Sequence, residues 1–74
     1  MLPQVYVGNY RTIYEIYGHK NPGLSLYDKV MIFPGSEIRI GEIIYLKYSI
    51  WGKCEYGWVC IYMNQNFYME RIGS

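Results

Sequence analysis

The chain has 74 residues, which is the size of one domain, so we predict a single unit over residues 1–74. Hydrophobic residues make up 51% and aromatic residues 19%, a composition that excludes a disordered segment. The formal net charge is only +1 and basic residues form no stripe, which argues against a nucleic-acid partner.

The sequence also argues against a membrane span. No apolar run approaches the roughly 20 residues that a spanning helix needs. The first four residues, MLPQ, lack the basic and apolar regions of a signal peptide, so we expect none in this chain.

The first third of the chain has strand-like composition. Residues 4–10 (QVYVGNY) and 11–17 (RTIYEIY) are rich in β-branched and aromatic side chains, which favours strands over a helical interpretation of the second run. Residues 18–23 (GHKNPG) carry the strongest loop signal, because Asn-Pro-Gly disfavours helix and favours a turn. A short apolar strand is predicted at 30–33 (VMIF).

The middle and end of the chain predict further strands. Residues 37–44 (EIRIGEII) alternate apolar and charged side chains, and Gly41 predicts a bulge or sharp bend within that strand. Residues 45–50 either extend it or form a loop edge. Residues 63–66 (MNQN) predict a polar turn with one 3₁₀ step, and 67–72 (FYMERI) predict a short closing strand.

Residues 51–62 (WGKCEYGWVCIY) predict a tight β-hairpin about the sequence EYG at 55–57. A two-residue loop at positions 56 and 57 pairs Cys54 with Val59. A three-residue loop instead places Cys54 opposite Cys60 and allows a short disulfide. The alternative is that both thiols are reduced and pack as small hydrophobic groups.

Five or six short antiparallel strands joined by Gly and Pro turns, with no long helix, predict an all-β fold in the form of a small barrel. Closing the sheet on itself removes the exposed edges at which strands aggregate.

Three segments, PGSEIRI at 34–40, WGKC at 51–54 and GWVC at 57–60, resemble bacterial SH3-type domains. Those domains show a Gly before the second core strand, a Trp opening the third and Gly-Trp opening the fourth. A final aromatic-aliphatic strand closes their barrel, as residues 68–72 (YMERI) would here. Residues 21–30 (NPGLSLYDKV) stand where the family carries a Gly-Pro-rich segment in its long first loop.

The resemblance is carried mainly by residues 34–72, and it implies an SH3-like barrel that binds a ligand without catalysis. Many bacterial members anchor exported proteins to peptidoglycan peptides. The resemblance therefore implies a peptide or cell-wall peptide ligand and an extracellular or cell-wall location. The alternative is a structural or interaction domain that packs against its parent or partner protein through its aromatic surface. An oligonucleotide-binding barrel is a third interpretation, which the near-neutral charge disfavours.

A peptide-binding barrel of this type needs rigid aromatic faces beside a loop. Trp51 is the first candidate, and a packed Trp at the end of the barrel is the alternative interpretation of the same residue. Trp58 follows the turn glycine, where a core position is favoured. The predicted ligand-binding residues are Tyr17, His19, Asn21, Tyr27, Trp51 and Tyr68.

The sequence shows no catalytic constellation, so we predict that the chain is not an enzyme. His19 is the only histidine, and no Ser, Cys or Asp is visibly placed to complete a triad. Two cysteines with one distant histidine do not make a zinc motif. We therefore predict no cofactor and no metal site.

Overall fold

A computed structural model describes residues 1–23 and 29–74, and this part of the chain is all-β, which confirms the predicted class. It contains nine short strands and no helix, and wherever two of these strands pair they are antiparallel. The strands are β1 Gly8–Thr12, β2 Ile16–His19, β3 Lys29–Ile32, β4 Glu37–Ile40, β5 Glu42–Tyr45, β6 Ser49–Cys54, β7 Gly57–Met63, β8 Asn66–Phe67 and β9 Met69–Gly73.

The described strands outnumber the five or six predicted, partly because one predicted strand bends in its middle. β4 ends at Ile40 and β5 begins at Glu42, so the bend predicted at Gly41 is confirmed. At the bend the Gly41 N–H donates a hydrogen bond to the Lys53 carbonyl oxygen (3.0 Å). The same chain segment therefore serves two sheets.

The first loop contains a hairpin of its own. Gly18 and His19, which the Asn-Pro-Gly signal assigned to a loop, belong to β2, and β2 pairs with β3. The prediction of one strand-like run over 11–17 was also wrong, because β1 ends at Thr12 and β2 begins at Ile16. Long-range pairing with β3 and β7 outweighs the local turn signal.

The predicted strand over residues 4–10 was wrong in its first half. β1 begins only at Gly8, whose φ of 142° turns the chain out of the strand direction. Residues 1–7 have no regular secondary structure.

The strands form two sheets around one core. The first sheet has the order β4-β1-β9, and the second has the order β3-β2-β7-β6-β5, with β8 beside β7. The β4–β5 segment joins the sheets on one side. On the other side, the Tyr68 N–H donates to the Ile61 carbonyl oxygen and the Ile13 N–H donates to the Tyr68 carbonyl oxygen (both 2.9 Å).

The core is mostly aliphatic and includes one tyrosine and one methionine, and it is tightly packed at Gly52. A Cβ atom at Gly52 would lie 2.6 Å from Ile40 Cγ2 and 2.9 Å from Ile61 Cδ1. The buried cluster comprises Tyr10, Ile16, Ile32, Ile38, Ile40, Ile50, Val59, Ile61 and Met69.

The central hairpin forms as predicted, but neither predicted pairing of its cysteines is correct. The turn residues are Glu55 and Tyr56, so that Cys54 lies opposite Gly57. Cys60 lies opposite Trp51, and both thiols are free. The turn lies one residue earlier than the predicted two-residue loop because Gly57, at φ 96°, is the first residue of β7. The two turn residues then keep negative φ values.

The polar segment at 63–66 is a tight hairpin turn, which corrects the predicted 3₁₀ step. Asn64 and Gln65 have φ values of 54° and 64°, and Met63 pairs with Asn66. Two consecutive left-handed residues are the requirement of a type I′ turn. This turn brings Phe67 back onto Tyr62, with ring centroids 4.8 Å apart.

The tight packing of the core makes Gly52 intolerant of a side chain. Gly52→Ala is expected to lower the free energy of unfolding by about 1–3 kcal/mol, because the methyl group overpacks two isoleucines. The matched control is Gly41→Ala, where a Cβ meets open space and no such loss is expected. Urea unfolding of both variants measures the difference, and equal stabilities would contradict the packing described.

Candidate functional site

A groove of about 440 Å³ lies beside β2, between the β1–β2 connection and the end of β7. We call it the aromatic groove. Its lining is drawn from the β1–β2 connection, β2, β6, β7, the β7–β8 turn and the residue before β9. The lining residues are Tyr14, Glu15, Ile16, Tyr17, His19, Trp51, Cys60, Met63, Asn64 and Tyr68.

The β6–β7 turn lies directly against β2 and thereby holds in place the strand that carries Tyr17 and His19. His19 pairs with Trp58, which links β2 to β7. A Cβ at Gly57 would lie 2.5 Å from the His19 carbonyl oxygen, and a Cβ at Gly18 would overlap the carbonyl oxygen of Tyr56. Glycine at both positions therefore allows the two backbones to meet.

Four of the six predicted ligand-binding residues border this groove. They are Tyr17, His19, Trp51 and Tyr68. Asn21 is exposed beyond the end of β2 and does not line the groove. Tyr27 lies outside the described residues. The structure thus brings together candidates that are up to 51 positions apart in the sequence (68 − 17).

Trp51 forms the back of the groove rather than an exposed wall. It is the third residue of β6, and its side chain is 1% exposed. Its indole N–H donates a hydrogen bond to Ser49 Oγ (2.8 Å). Burial of this kind fits the packed interpretation of Trp51, and the residue still lines the groove from behind.

His19 stands edge-on to the indole of Trp51. The ring centroids are 5.7 Å apart and the planes meet at 72°, a favourable aromatic geometry. The residue is 5% exposed, and its buried Nδ1 has no hydrogen-bond partner in the described part of the chain. Burial lowers the pKa of His19, and the positive charge of Lys29 lowers it further, so the imidazole is neutral at pH 7.

Tyr17 is held in place from two sides. Its hydroxyl donates a hydrogen bond to Glu15 Oε2 (2.8 Å), and this bond is the main cause of a raised pKa for Tyr17. The ammonium group of Lys29 lies 4.6 Å from the centre of its ring. The ring is therefore oriented before any ligand arrives.

Tyr14 and Glu15 border the groove although the sequence did not single them out. The Tyr14 side chain is 54% exposed, and its ring meets that of Tyr68 edge-on at 5.9 Å. Both residues lie in the break between β1 and β2, which the strand-like composition of 11–17 concealed. No sequence signal separates Tyr14 from the other nine tyrosines, because its exposure depends on that break.

The chemistry of the groove is aromatic and nearly uncharged. Glu15 is the one Asp, Glu, Lys or Arg side chain among the lining residues. Burial raises the pKa of the Cys60 thiol to about 12, so Cys60 is not placed to act as a thiolate nucleophile beside His19. Within residues 1–23 and 29–74, no group of three His, Cys, Asp or Glu side chains is arranged to hold a metal ion.

The described residues contain no helix that is long and apolar enough to cross a membrane. Comparison of the chain with models of protein families, with curated proteins and with solved structures returns no match.

The lowered pKa of His19 predicts a loss of stability on acidification. The unfolded chain binds a proton at a pKa near the ordinary value of about 6.5, above that of the folded chain. The stability due to neutral His19 is thus fully present above about pH 6.5 and falls as the pH drops towards the folded-state pKa.

Urea unfolding between about pH 7.5 and 5.5, above the range in which most carboxylates titrate, measures this dependence. His19→Gln removes the only imidazole of the chain and should flatten the slope. An unchanged slope in His19→Gln would show that another group is responsible.

Proposed function

We propose that the chain is a non-catalytic ligand-binding module of the bacterial SH3 type, and that the aromatic groove binds a peptide. One observation carries this proposal: candidate residues from three distant parts of the sequence, at 17–19, 51 and 68, border the same groove. Core packing alone does not explain the arrangement, because Tyr14 turns a largely exposed ring to the same place.

The arrangement of the strands supports an SH3-like barrel. Gly35 precedes β4, and Gly57 and Trp58 open β7, as the family pattern requires. The last strand, β9, pairs with β1 and completes the first sheet. Trp51 departs from the pattern, since it lies inside β6 instead of opening it.

The lining of the groove favours a peptide over other ligands. Aromatic faces pack against extended backbone, and the Glu15 carboxylate and Tyr17 hydroxyl offer polar contacts at one side. Tyr17 is already oriented by Glu15 and Lys29, so binding costs little ordering of this side chain. We expect micromolar or weaker affinity, because the groove is small and nearly uncharged.

Peptidoglycan peptides are the ligands that the SH3 resemblance implies, and they are the first to test. The experiment is a pull-down of the chain on purified bacterial cell walls. Tyr14→Ala is expected to reduce binding about tenfold, since an aromatic residue central to an interface commonly contributes more than about 1 kcal/mol. Tyr14 is preferred to Trp51 for this test because Trp51 is buried in the fold.

The matched control is Tyr48→Ala, which removes an exposed tyrosine that does not border the aromatic groove. Circular dichroism verifies that each variant is folded. Equal wall binding by wild type and Tyr14→Ala would exclude the groove as the binding site. An absence of wall binding by the wild type would exclude the wall ligand and leave a protein partner.

A second candidate function is that of an interaction domain that packs against another protein. The observation that favours it is a group of exposed apolar side chains on β3 and directly after it, where Val30, Met31 and Phe33 are 51%, 43% and 66% exposed. On this hypothesis Phe33→Glu reduces association with the parent or partner protein, whereas Tyr14→Ala leaves it unchanged. Sedimentation velocity with the parent protein distinguishes these outcomes.

A further inference from the structure

Residues 1–7 form a strap that is attached to the barrel by side chains. The Val5 N–H donates to Tyr45 Oη (3.0 Å), and Tyr45 Oη donates back to the Val5 carbonyl oxygen (3.3 Å). The Tyr10 hydroxyl donates to the Tyr6 carbonyl oxygen (2.5 Å), and Arg71 Nε donates to the Val7 carbonyl oxygen (3.0 Å). All four bonds join a barrel side chain to the backbone of the strap.

The strap is separable from the sheets. Strand pairing begins at Gly8, and no backbone–backbone hydrogen bond joins residues 1–7 to another described residue. Segments held by few backbone bonds open at low free energy while the core stays folded. The strap can therefore leave its site without breaking a strand pair.

The strap packs against the apolar core through two of its side chains. Leu2 and Val5 are partly buried and pack against the core cluster. A cavity of about 390 Å³ lies beside Val5 and Tyr6, between Tyr10, Met69 and Arg71. None of the residues around this cavity lines the aromatic groove, whereas Met1 and Leu2 at the other end of the strap border a second pocket that shares Asn64 with that groove.

Gly8 is the hinge between strap and barrel. Its φ of 142° lies in the region that other residues rarely adopt, and a Cβ there would lie 2.5 Å from the Gly73 carbonyl oxygen. This conformation folds the strap back onto its own barrel. A chain that instead ran straight on past residue 8 would carry the strap away from the molecule.

We propose that the strap site also binds the strap of a second copy of this chain, so that two molecules exchange residues 1–7. A second copy presents the same backbone groups and the same Leu2 and Val5 side chains, and it therefore makes the same contacts in the same site. Such exchange costs little beyond association itself, because no contact is new except at the hinge. Each molecule's own strap competes for this site with the strap of the second copy, at an effective concentration of about 1 mM. Wild-type molecules therefore exchange straps only near that protein concentration.

The test is the oligomeric state of the whole chain between about 10 µM and 1 mM, the range that brackets this competition. Gly8→Ala strains the folded-back hinge and is expected to lower the concentration needed for the dimer about tenfold. The matched control is Gly35→Ala, a second positive-φ glycine (82°), which lies beside Thr12 at the opposite end of β1 from Gly8 and should leave the dimer unchanged. Sedimentation equilibrium measures both.

A mixture of isotope-labelled and unlabelled chains identifies the contact. At about 1 mM, filtered nuclear Overhauser effects between Val5 of one molecule and Tyr45 of another are expected in the wild type, which needs no variant to fold. In the Gly8→Ala background, Val5→Asp should abolish the dimer and Phe33→Glu should preserve it. Val5–Tyr45 effects that are only intramolecular, or a dimer lost through Phe33→Glu, would overturn the proposal.

Discussion

The close approach of the β6–β7 turn to β2 is the constraint on which both the fold and the groove depend. Glycine at positions 18 and 57 lets two backbones meet at a distance that any Cβ would prevent. The single described residue pair between β2 and β7, His19 with Trp58, is made possible by this approach. Without it the β2–β3 hairpin would have no sheet to join, and the aromatic groove would lose the wall that carries Tyr17 and His19.

Local sequence signals correctly predicted the bend and the hairpin, which depend mainly on residues close together in the chain. The alternating isoleucines around Gly41 predicted a bent strand, and the EYG sequence predicted a hairpin; both are present. The wrong predictions concern segments whose secondary structure depends on contacts with residues distant in the sequence. Asn-Pro-Gly marks a turn, yet β2 runs to His19 because it pairs with β3 and β7. The strand-like composition of residues 4–7 does not produce a strand, because side chains rather than a neighbouring backbone hold this segment.

The candidate site could be predicted in composition but not in detail. Six residues were predicted to bind the ligand, and four of them, Tyr17, His19, Trp51 and Tyr68, line the groove. Sequence does not reveal which rings face solvent: Trp51 is buried, whereas Tyr14, in an unpredicted break between strands, is exposed. The chain has ten tyrosines, and whether each ring is buried depends on where strands end and turns begin. The sequence predicts those boundaries only to within one or two residues. The one-residue error in the hairpin turn also changed the partners of both cysteines.

Tyrosine serves this small domain in two ways, because it joins a large apolar ring to a polar group. A domain of 74 residues has little core, so its tyrosines supply both packing and specific attachment. Tyr10 and Tyr45 use their hydroxyl groups to hold the backbone of the strap. Tyr17 uses its hydroxyl group to bind Glu15 at the aromatic groove. The same kind of side chain thus holds the backbone of the strap at one place and orients a ring of the aromatic groove at another.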